Sequence, residues 1–362
     1  MGLTIFEIIS KIPFYKSFRL FEWPRQLPSN LTLSVSFNCN SRCKTCNIYK
    51  KKSNELSLDE WEKTFTSLGR NPFWVTISGG EPFIRQDLAE LVCLLYDRCR
   101  PSIINIPTNG LLKDRIPHIV KQITTYCKKA QVVINVSIDE IGEKHDAIRG
   151  VQGSYKNALE TFSALKSVEM PNLSIGIHTV ISRFNVKRIP DIYRHISGFK
   201  PDSYITEIAE EREELDTIGT GIAPEYQDYA DAVNFLVRQL KDENFDRVGK
   251  ITRAFRIEYY KMVKRVLQQQ RQVIPCYAGF ASAQIAPDGN VWMCCIKADT
   301  IGNLRDTDYD FNKVWFSEKA EVLRRSIKRG ECYCPLANAG YTNMLHNLKS
   351  LIRVGWNLIG KH

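Results

Sequence analysis

The sequence lacks the features of membrane-spanning and secreted proteins. No apolar run in the chain reaches the roughly 18 residues that a transmembrane helix requires. The opening stretch, Met1-Gly2-Leu3-Thr4, has neither a basic n-region nor a cleavage site after it, so it does not predict a signal peptide. The cysteine count is 11, and an odd count argues against a framework of paired disulfides. We therefore expect a cytoplasmic protein, in which clustered thiols favour metal or iron–sulfur binding.

Signals for specific nucleic-acid binding are also missing. The formal net charge is +10, which permits nucleic acid, anionic lipid or phosphorylated substrates as partners. However, no basic run is interleaved with aromatic residues in the manner of single-strand binders, and no nucleic-acid module motif is present. Part of the positive charge lies in residues 341–362, which contain Lys349, Arg353 and Lys361 and no acidic residue. No specific nucleic acid is expected as a partner.

Three cysteines form the strongest motif in the chain. Cys39, Cys43 and Cys46 have the spacing C-x3-C-x2-C. Three thiolates this close together on a loop can hold three irons of a cubane cluster and leave the fourth iron without a protein ligand. An open iron can bind a small molecule and pass it an electron. Zinc is the competing interpretation, although structural zinc sites take four protein ligands.

Strand and helix patterns alternate between residues 31 and 208. The predicted strands are Leu31–Phe37, Phe73–Ser78, Ile103–Pro107, Gln131–Ile138, Ser174–Ile181 and Ser203–Ile208. Six strand–helix units in a row imply a parallel sheet with right-handed crossovers. The segment is short for an eight-unit barrel. The sequence therefore predicts an α/β fold, a partial (β/α)6 TIM-like barrel, with a small cysteine-rich C-terminal module.

The cysteine motif resembles the signature of the radical S-adenosylmethionine (SAM) enzymes. The resemblance implies that the open iron of a [4Fe–4S] cluster chelates SAM, and that reductive cleavage gives a 5′-deoxyadenosyl radical that abstracts hydrogen from substrate. It also implies a reducing electron donor such as flavodoxin or ferredoxin. The family often has an aromatic residue just before the third cysteine, to pack on adenine. Here that position is Thr45, and Tyr49 lies just beyond the motif.

The resemblance also implies a SAM pocket at the C-terminal ends of the strands, where such barrels carry their chemistry. After the second strand, Gly79 and Gly80 let the backbone approach a ligand closely, and the carboxylate of Glu81 can accept from an ammonium group. These three residues match the loop that holds the methionyl amino group of SAM. The other pocket candidates are polar residues at later strand ends: Asn109, Ser137, Asp139 and Arg149. Ser137 and Asp139 suit the ribose hydroxyls, and Asn109 reaches the ribose or stabilises its own turn. Arg149 suits the SAM carboxylate, or forms a surface salt bridge with Asp146.

A second cysteine set lies near the end of the chain. A predicted hairpin between Ser282–Ile285 and Val291–Met293 brings Cys276 and Cys294 together. The four candidate ligands are Cys276, Cys294, Cys332 and Cys334. This set resembles the twitch form of the SPASM-type extension of radical SAM enzymes, which implies an auxiliary [4Fe–4S] cluster. Cys295 competes with Cys334 as the fourth ligand, and a zinc site is the structural alternative.

The residues after the sixth strand and the two ends of the chain bear on the substrate. Glu207, at the end of the sixth strand, is the candidate for a substrate-contacting or proton-transferring carboxylate, and the charged run after it, 210–214, is predicted to be mostly a solvated loop. The resemblance suggests a ribosomally made peptide or a sugar. Apolar stripes near the two ends, at Ile5, Ile8, Ile9, Phe14 and Phe18 and at Leu345, Leu348, Ile352 and Ile359, either pack on the barrel or contact the inner face of a membrane. Membrane contact would make a lipid-linked substrate plausible.

Five segments and three hypotheses follow. The segments are a lead-in (1–30), the barrel core (31–210), a helical connector (211–275), the auxiliary-cluster domain (276–340) and an amphipathic tail (341–362). The first hypothesis is a radical SAM oxidoreductase with two [4Fe–4S] clusters. The rivals are a zinc-dependent nucleic-acid-binding protein and a non-catalytic iron–sulfur scaffold at a membrane.

Overall fold

The fold is built on a mixed sheet flanked by helices. The computed structural model describes residues 5–242 and 247–359, and the side chains of residues 9–241 and 249–358. The described strands are β1 (Asn30–Ser36), β2 (Trp74–Gly79), β3 (Ile103–Thr108), β4 (Gln131–Ser137), β5 (Leu173–Ile181), β6 (Ser203–Ile208), β7 (Ser282–Ile285), β8 (Asn290–Trp292) and β9 (Thr300–Asn303). The described α-helices are α1 (Ile5–Phe21), α2 (Leu58–Leu68), α3 (Leu88–Cys99), α4 (Arg115–Tyr126), α5 (Glu143–Arg149), α6 (Ser154–Lys166), α7 (Ile189–Ser197), α8 (Tyr226–Asp242), α9 (Arg247–Gln269), α10 (Phe311–Trp315), α11 (Glu318–Arg329), α12 (Ala337–Leu345) and α13 (Leu348–Ile359).

The predicted parallel sheet is confirmed. The strand order is β6-β5-β4-β3-β2-β1-β7-β8-β9, and β1 to β6 pair in parallel with their neighbours in sequence. Helices connect these strands, as crossovers between parallel strands require. Within the described residues β6 and β9 are the two ends of the sheet and do not pair, so the barrel is partial and open. The C-terminal ends of six parallel strands therefore share one mouth.

The predicted hairpin near the end of the chain joins the main sheet. β7 pairs in parallel with β1, from Asn30 opposite Ser282 to Leu33 opposite Ile285. β8 and β9 then continue the sheet with antiparallel pairing. Without β7, the outer edge of β1 would expose unpaired N–H and C=O groups. Pairing with β1 fixes the second cysteine set, in the predicted small C-terminal module, relative to the first.

Helix α2 begins with a capping box formed by Ser57 and Glu60. Ser57 Oγ accepts from Glu60 N at 3.3 Å, and Glu60 Oε2 accepts from Ser57 N at 2.7 Å, a complete capping box. Glu60 also pairs with Arg305 Nε at 2.7 Å, which ties α2 to the segment after β9. Trp61 and Phe65, on the inner face of α2, are fully buried, and each contributes roughly 2–3 kcal/mol by leaving water.

Helix α1 packs on the body of the protein through only part of its predicted stripe. Phe18 is fully buried and lies edge-on to Phe280 at 5.5 Å. Tyr15, which the stripe did not include, is also buried, whereas Ile9 and Phe14 are half exposed. The side chains of Ile5, Ile8, Ile359 and Lys361, named in the sequence analysis, lie outside the described residues. Among the described helices, none is long and apolar enough to cross a membrane.

His346 gives the fold a dependence on acid. Its ring stacks on Tyr277 at 4.5 Å and lies edge-on to Tyr15, and burial lowers its pKa from 6.5 to about 4. As the pH falls, the unfolded chain therefore binds a proton before the native state does, so the contribution to stability is complete above about pH 6.5 and is lost towards pH 4.

Replacing His346 tests this dependence. Between pH 6.5 and pH 4 we expect the free energy of unfolding of His346→Phe to fall by about 3 kcal/mol less than that of the native protein. Urea unfolding at a series of pH values measures this difference. Exposed His118→Gln should keep the native slope; an unchanged slope in His346→Phe would contradict the assignment.

Candidate active site

The cysteine loop after β1 is held by backbone hydrogen bonds to the end of α5. Arg42 N donates to Arg149 O at 2.9 Å, and Lys44 N donates to Ile148 O at 2.8 Å. The two chains pass so closely that a Cβ on Gly150 would lie 2.3 Å from Arg42 O, and Gly150 also has a positive φ of 67°. The loop is therefore held in place independently of its sulfur atoms.

Each of the three thiols in this loop has an N–H donor directed at its sulfur. The donor–sulfur distances are 3.4 Å from Ser41 N to Cys39 Sγ, 3.8 Å from Arg149 Nη1 to Cys43 Sγ and 3.4 Å from Ile48 N to Cys46 Sγ. Donors of this kind stabilise thiolates, which are the form that binds iron. The donor set thus fits an iron–sulfur cluster.

Burial favours the neutral thiol until a metal ion binds. It raises the pKa of Cys39 to about 11 and that of Cys46 to about 12. The neighbouring thiols add to both shifts, which shows that the three sulfurs interact electrostatically. Loading with iron must therefore displace protons, as for other thiolate sites. Within 5–242 and 247–359, no three Cys, His, Asp or Glu side chains are arranged to hold a single metal ion.

The two glycines after β2 accommodate the neighbouring chain. A Cβ on Gly79 would lie 2.1 Å from Ser36 O, and one on Gly80 would lie 2.2 Å from Asn38 O. Gly80 N in turn donates to Ser36 O at 2.8 Å. The end of β1 therefore lies against both glycines, and the contact of this loop with SAM stays a prediction. The glycines position the start of the cysteine loop.

Glu81 joins the ends of β2 and β3. Its Oε2 accepts from Asn109 N at 2.7 Å, and its Oε1 accepts from Thr108 Oγ1 at 2.8 Å and Phe83 N at 3.3 Å. The side chain is fully buried, and burial raises its pKa to about 7. Both oxygens are thus used within the protein, whereas the sequence analysis considered this carboxylate as an acceptor for an ammonium group.

Asn109 connects its own turn to the cysteine loop. Its Oδ1 accepts from Leu111 N at 2.9 Å, which is the turn-stabilising role considered in the sequence analysis. Its Nδ2 donates to Asn40 Oδ1 at 2.7 Å and to Ser41 Oγ at 3.1 Å. Nδ2 also lies 4.0 Å from Cys39 Sγ. These contacts make Asn109 a positioning residue for the first cysteine.

Arg149 pairs with Asp139 rather than with Asp146. Arg149 Nε lies 2.9 Å from Asp139 Oδ2, and both side chains are largely buried. Asp139 Oδ1 accepts from Val180 N at 2.9 Å. The alternative of a surface salt bridge to Asp146 is wrong, because Asp146 caps α6 by accepting from Gly153 N and Tyr155 N. Burial acts to lower the pKa of Arg149, but Asp139 and Cys43 raise it above its ordinary value.

The remaining predicted residues lie around the same mouth. Ser137 is buried at the end of β4, and Thr45 is half buried in the cysteine loop. The Arg42 guanidinium lies over the ring of Tyr49 at 4.6 Å. Glu207, on β6, has Oε1 3.8 Å from Nε2 of His178 on β5. His178 lies opposite Ser137, the last residue of β4.

The second cysteine set is brought together around β7 and β8. Burial raises the pKa of each of its thiols: Cys276, Cys294, Cys332 and Cys334. Hydrogen bonding from nearby groups acts in the opposite direction and lowers the pKa of each thiol; these groups are Ala278 N and Asn343 at Cys276, Lys297 N and Ile296 N at Cys294, Gln272 at Cys332, and Leu336 N at Cys334. A cavity of about 30 Å³ is lined in part by Cys294 and Cys332. This donor set also fits an iron–sulfur cluster.

Residues 210–217, here called the bridging segment, connect the two cysteine sets. Glu213 N donates to Ile296 O at 2.9 Å, beside the second set. Leu215 O accepts from Asn47 N at 2.9 Å, one residue after Cys46 of the first set. The prediction of a mostly solvated loop is wrong, because Glu210 and Glu214 are 8% and 7% exposed. The bridging segment instead lies between the two sites.

Comparisons with known proteins agree with this architecture. Residues 33–196 match the radical SAM superfamily, and residues 276–335 match the SPASM iron–sulfur cluster-binding domain. The chain therefore carries a radical SAM domain followed by an SPASM domain. Domains of these families bind a [4Fe–4S] cluster with SAM and auxiliary iron–sulfur clusters, respectively.

Curated relatives come from several bacteria and an archaeon. The Fe-coproporphyrin III synthase of Methanosarcina barkeri is 31% identical over 44% of this chain and 39% of its own length. The subtilosin biosynthesis protein AlbA of Bacillus subtilis is 23% identical over 83% of this chain and 64% of its own length. The mycofactocin maturase MftC of Mycobacterium tuberculosis is 25% identical over 86% of this chain and 76% of its own length. The chain thus spans less than two thirds of the length of the first two of these relatives.

Solved structures share the fold. SuiB of Streptococcus suis bound to SAM superposes with a TM-score of 0.62 at 15% identity, covering 83% of this chain and 68% of SuiB. SuiB bound to its precursor peptide SuiA gives a TM-score of 0.60 at 15% identity, covering 83% and 67%. Native anSMEcpe with bound SAM gives 0.59 at 14% identity, covering 90% and 96%. At these identities the likeness concerns the fold.

Proposed function

We propose that this chain is a radical SAM enzyme that modifies a peptide by hydrogen-atom abstraction. The carrying observation is the loop of Cys39, Cys43 and Cys46, in which an N–H donor faces each sulfur at the mouth of the partial barrel. A cluster on these residues, with SAM bound, would supply a 5′-deoxyadenosyl radical. The peptide substrate is supported by relatives: AlbA acts in bacteriocin biosynthesis, and SuiB binds a precursor peptide. Sugar and lipid-linked substrates from the sequence analysis have no such support.

The residues around the cysteine loop would position the cluster and the substrate for this chemistry. Arg149 contacts Cys43 of the first set, and its ion pair with Asp139 holds its guanidinium at the strand ends. Glu207 and His178 lie at the mouth of the same barrel, where a substrate-contacting or proton-accepting role for Glu207 stays a prediction. The second cysteine set, joined by the bridging segment, would hold an auxiliary cluster that accepts an electron from substrate. A small reducing protein such as flavodoxin or ferredoxin would supply the electron that starts the reaction.

The decisive experiment is anaerobic cluster reconstitution followed by iron, sulfide and zinc analysis and by dithionite reduction with SAM. We expect about eight irons per chain, as two cubane clusters require, and formation of 5′-deoxyadenosine. About four irons with SAM cleavage would remove the auxiliary cluster from the proposal. Zinc in place of iron, or iron without SAM cleavage, would overturn the proposed activity.

A further inference from the structure

Helix α13 exposes a stripe of large apolar side chains on its outer face. Leu348, Ile352 and Trp356 follow one another at helical spacing and are 62%, 51% and 71% exposed. On the inner face Ser350 is buried, and Asn357 is half buried. Surface helices normally bury their apolar stripe. Three exposed apolar side chains in a row mark the outer stripe as a binding surface.

The helix is nevertheless docked on the protein, so this exposure is not that of a detached tail. Val354, on the inner face, is 4% exposed. Arg353 Nη1 lies 3.1 Å from Oε1 of Glu258 on α9, and the Glu258 side chain is 2% exposed. Leu348, Ile352 and Trp356 are therefore presented outward on a fixed helix.

The charges beside the stripe indicate what it binds. Lys349 and Arg353 each directly follow one of its apolar residues and are themselves exposed. Residues 341–362 contain no Asp or Glu. A second copy of this chain, packed about a twofold axis on this face, would bring the same cations together at the cost of like-charge repulsion. An anionic surface would instead pair with Lys349, while Arg353 stays on Glu258.

We propose that α13 is a membrane-surface helix that lies in the headgroup region of an anionic bilayer. Tryptophan is enriched at that depth, because its ring is apolar and its N–H remains hydrated. The 12-residue helix is about 18 Å long, which suits a helix lying parallel to the bilayer plane. Its buried face stays on α9 while Leu348, Ile352 and Trp356 enter the lipid. This inference is independent of the proposed activity.

Helix α1 lies next to this surface. Tyr15 is 5.2 Å from the ring of His346, two residues before α13 begins. Ile9 and Leu20 of α1 are 52% and 53% exposed. α1 therefore adds exposed apolar side chains near the contact.

The test uses the reconstituted full chain and flotation with vesicles of phosphatidylcholine, with or without phosphatidylglycerol. We expect flotation with the anionic vesicles, little with phosphatidylcholine alone, and loss of flotation at about 1 M salt, where the Debye length is about 3 Å. Ile352→Gln and Trp356→Gln should each weaken partitioning about tenfold, and Lys349→Gln about fivefold. SAM cleavage in solution should be unaffected.

Matched controls separate this face from general stickiness. Val322→Gln removes an exposed apolar side chain from α11, and Lys319→Gln removes an exposed cation there. Both should float like the native protein. Absence of flotation with anionic vesicles would overturn the proposal, as would equal losses in control and α13 variants. A dimer on size exclusion that Trp356→Gln dissociates would instead assign the face to a second copy.

Discussion

Replacing any one of Cys39, Cys43 and Cys46 with alanine is expected to abolish 5′-deoxyadenosine formation and leave the fold intact. Each thiolate would hold one iron of the cluster, so a missing ligand removes the group that cleaves SAM. The loop itself is fixed by the hydrogen bonds from Arg42 and Lys44 to the end of α5, which the substitutions do not touch. The loss of one sulfur should cost only about 1 kcal/mol of stability. Iron analysis should show about four irons fewer per chain, and circular dichroism should be native.

A cysteine outside both sets provides the control. Cys93 lies in α3 and is half buried. Cys93→Ala removes the same number of atoms and should keep both the iron content and SAM cleavage. A Cys39, Cys43 or Cys46 variant that still forms 5′-deoxyadenosine would contradict the cluster assignment. Loss of native circular dichroism would show instead that the sulfurs support the fold.

The first cysteine set was predictable because its information is local. The spacing of Cys39, Cys43 and Cys46 puts three thiols on one loop whatever the surrounding fold. The strands were predictable for a similar reason, since apolar runs separated by helical patterns specify a parallel sheet. Each strand predicted between residues 31 and 208 begins and ends within one residue of the observed one. The parallel sheet and the partial, open barrel followed from the number and order of these strands.

Contacts between distant residues were not predictable in this way. The charged run at 210–214 has the composition of a solvated loop, yet Glu214 Oε1 accepts from Ser34 Oγ, 180 residues away, and from Gln284 Nε2, 70 residues away. Buried carboxylates of this kind are retained only when they are hydrogen-bonded. The partners of Glu214 come from β1 and β7, which neighbour each other only after the sheet has formed.

The Gly79-Gly80 pair shows the same limit. The residue types correctly indicated a close approach, but the sequence could not say whether a ligand or another strand came close. The structure places Ser36 O and Asn38 O there. Arg149 likewise had two local interpretations, SAM carboxylate or Asp146, and its observed partner is Asp139, at the end of β4.

The bridging segment bears on the fourth ligand of the auxiliary site. Cys295 is buried, but its sulfur is turned towards this segment, where Arg212 Nη1 lies 3.7 Å away. Arg212 in turn has Nη2 3.8 Å from Oε1 of buried Glu210. Cys334, by contrast, is close enough to Cys276 and Cys294 for both to raise its pKa, after burial and Glu210. Cys294 raises the pKa of Cys295 as well, but Arg212 opposes it there. We therefore favour Cys334 as the fourth ligand, which the sequence left open.

Cys334→Ser and Cys295→Ser should therefore behave differently. We expect Cys334→Ser to lose the auxiliary cluster, falling from about eight irons per chain to about four, while SAM cleavage at the first site continues. Cys295→Ser should keep about eight irons, because its sulfur is held against the Arg212 guanidinium. Iron analysis with electron paramagnetic resonance of the reduced proteins distinguishes the variants, since each cluster gives its own signal. The reverse result, with iron lost from Cys295→Ser alone, would make Cys295 the ligand and require the segment around Arg212 to move when the cluster binds.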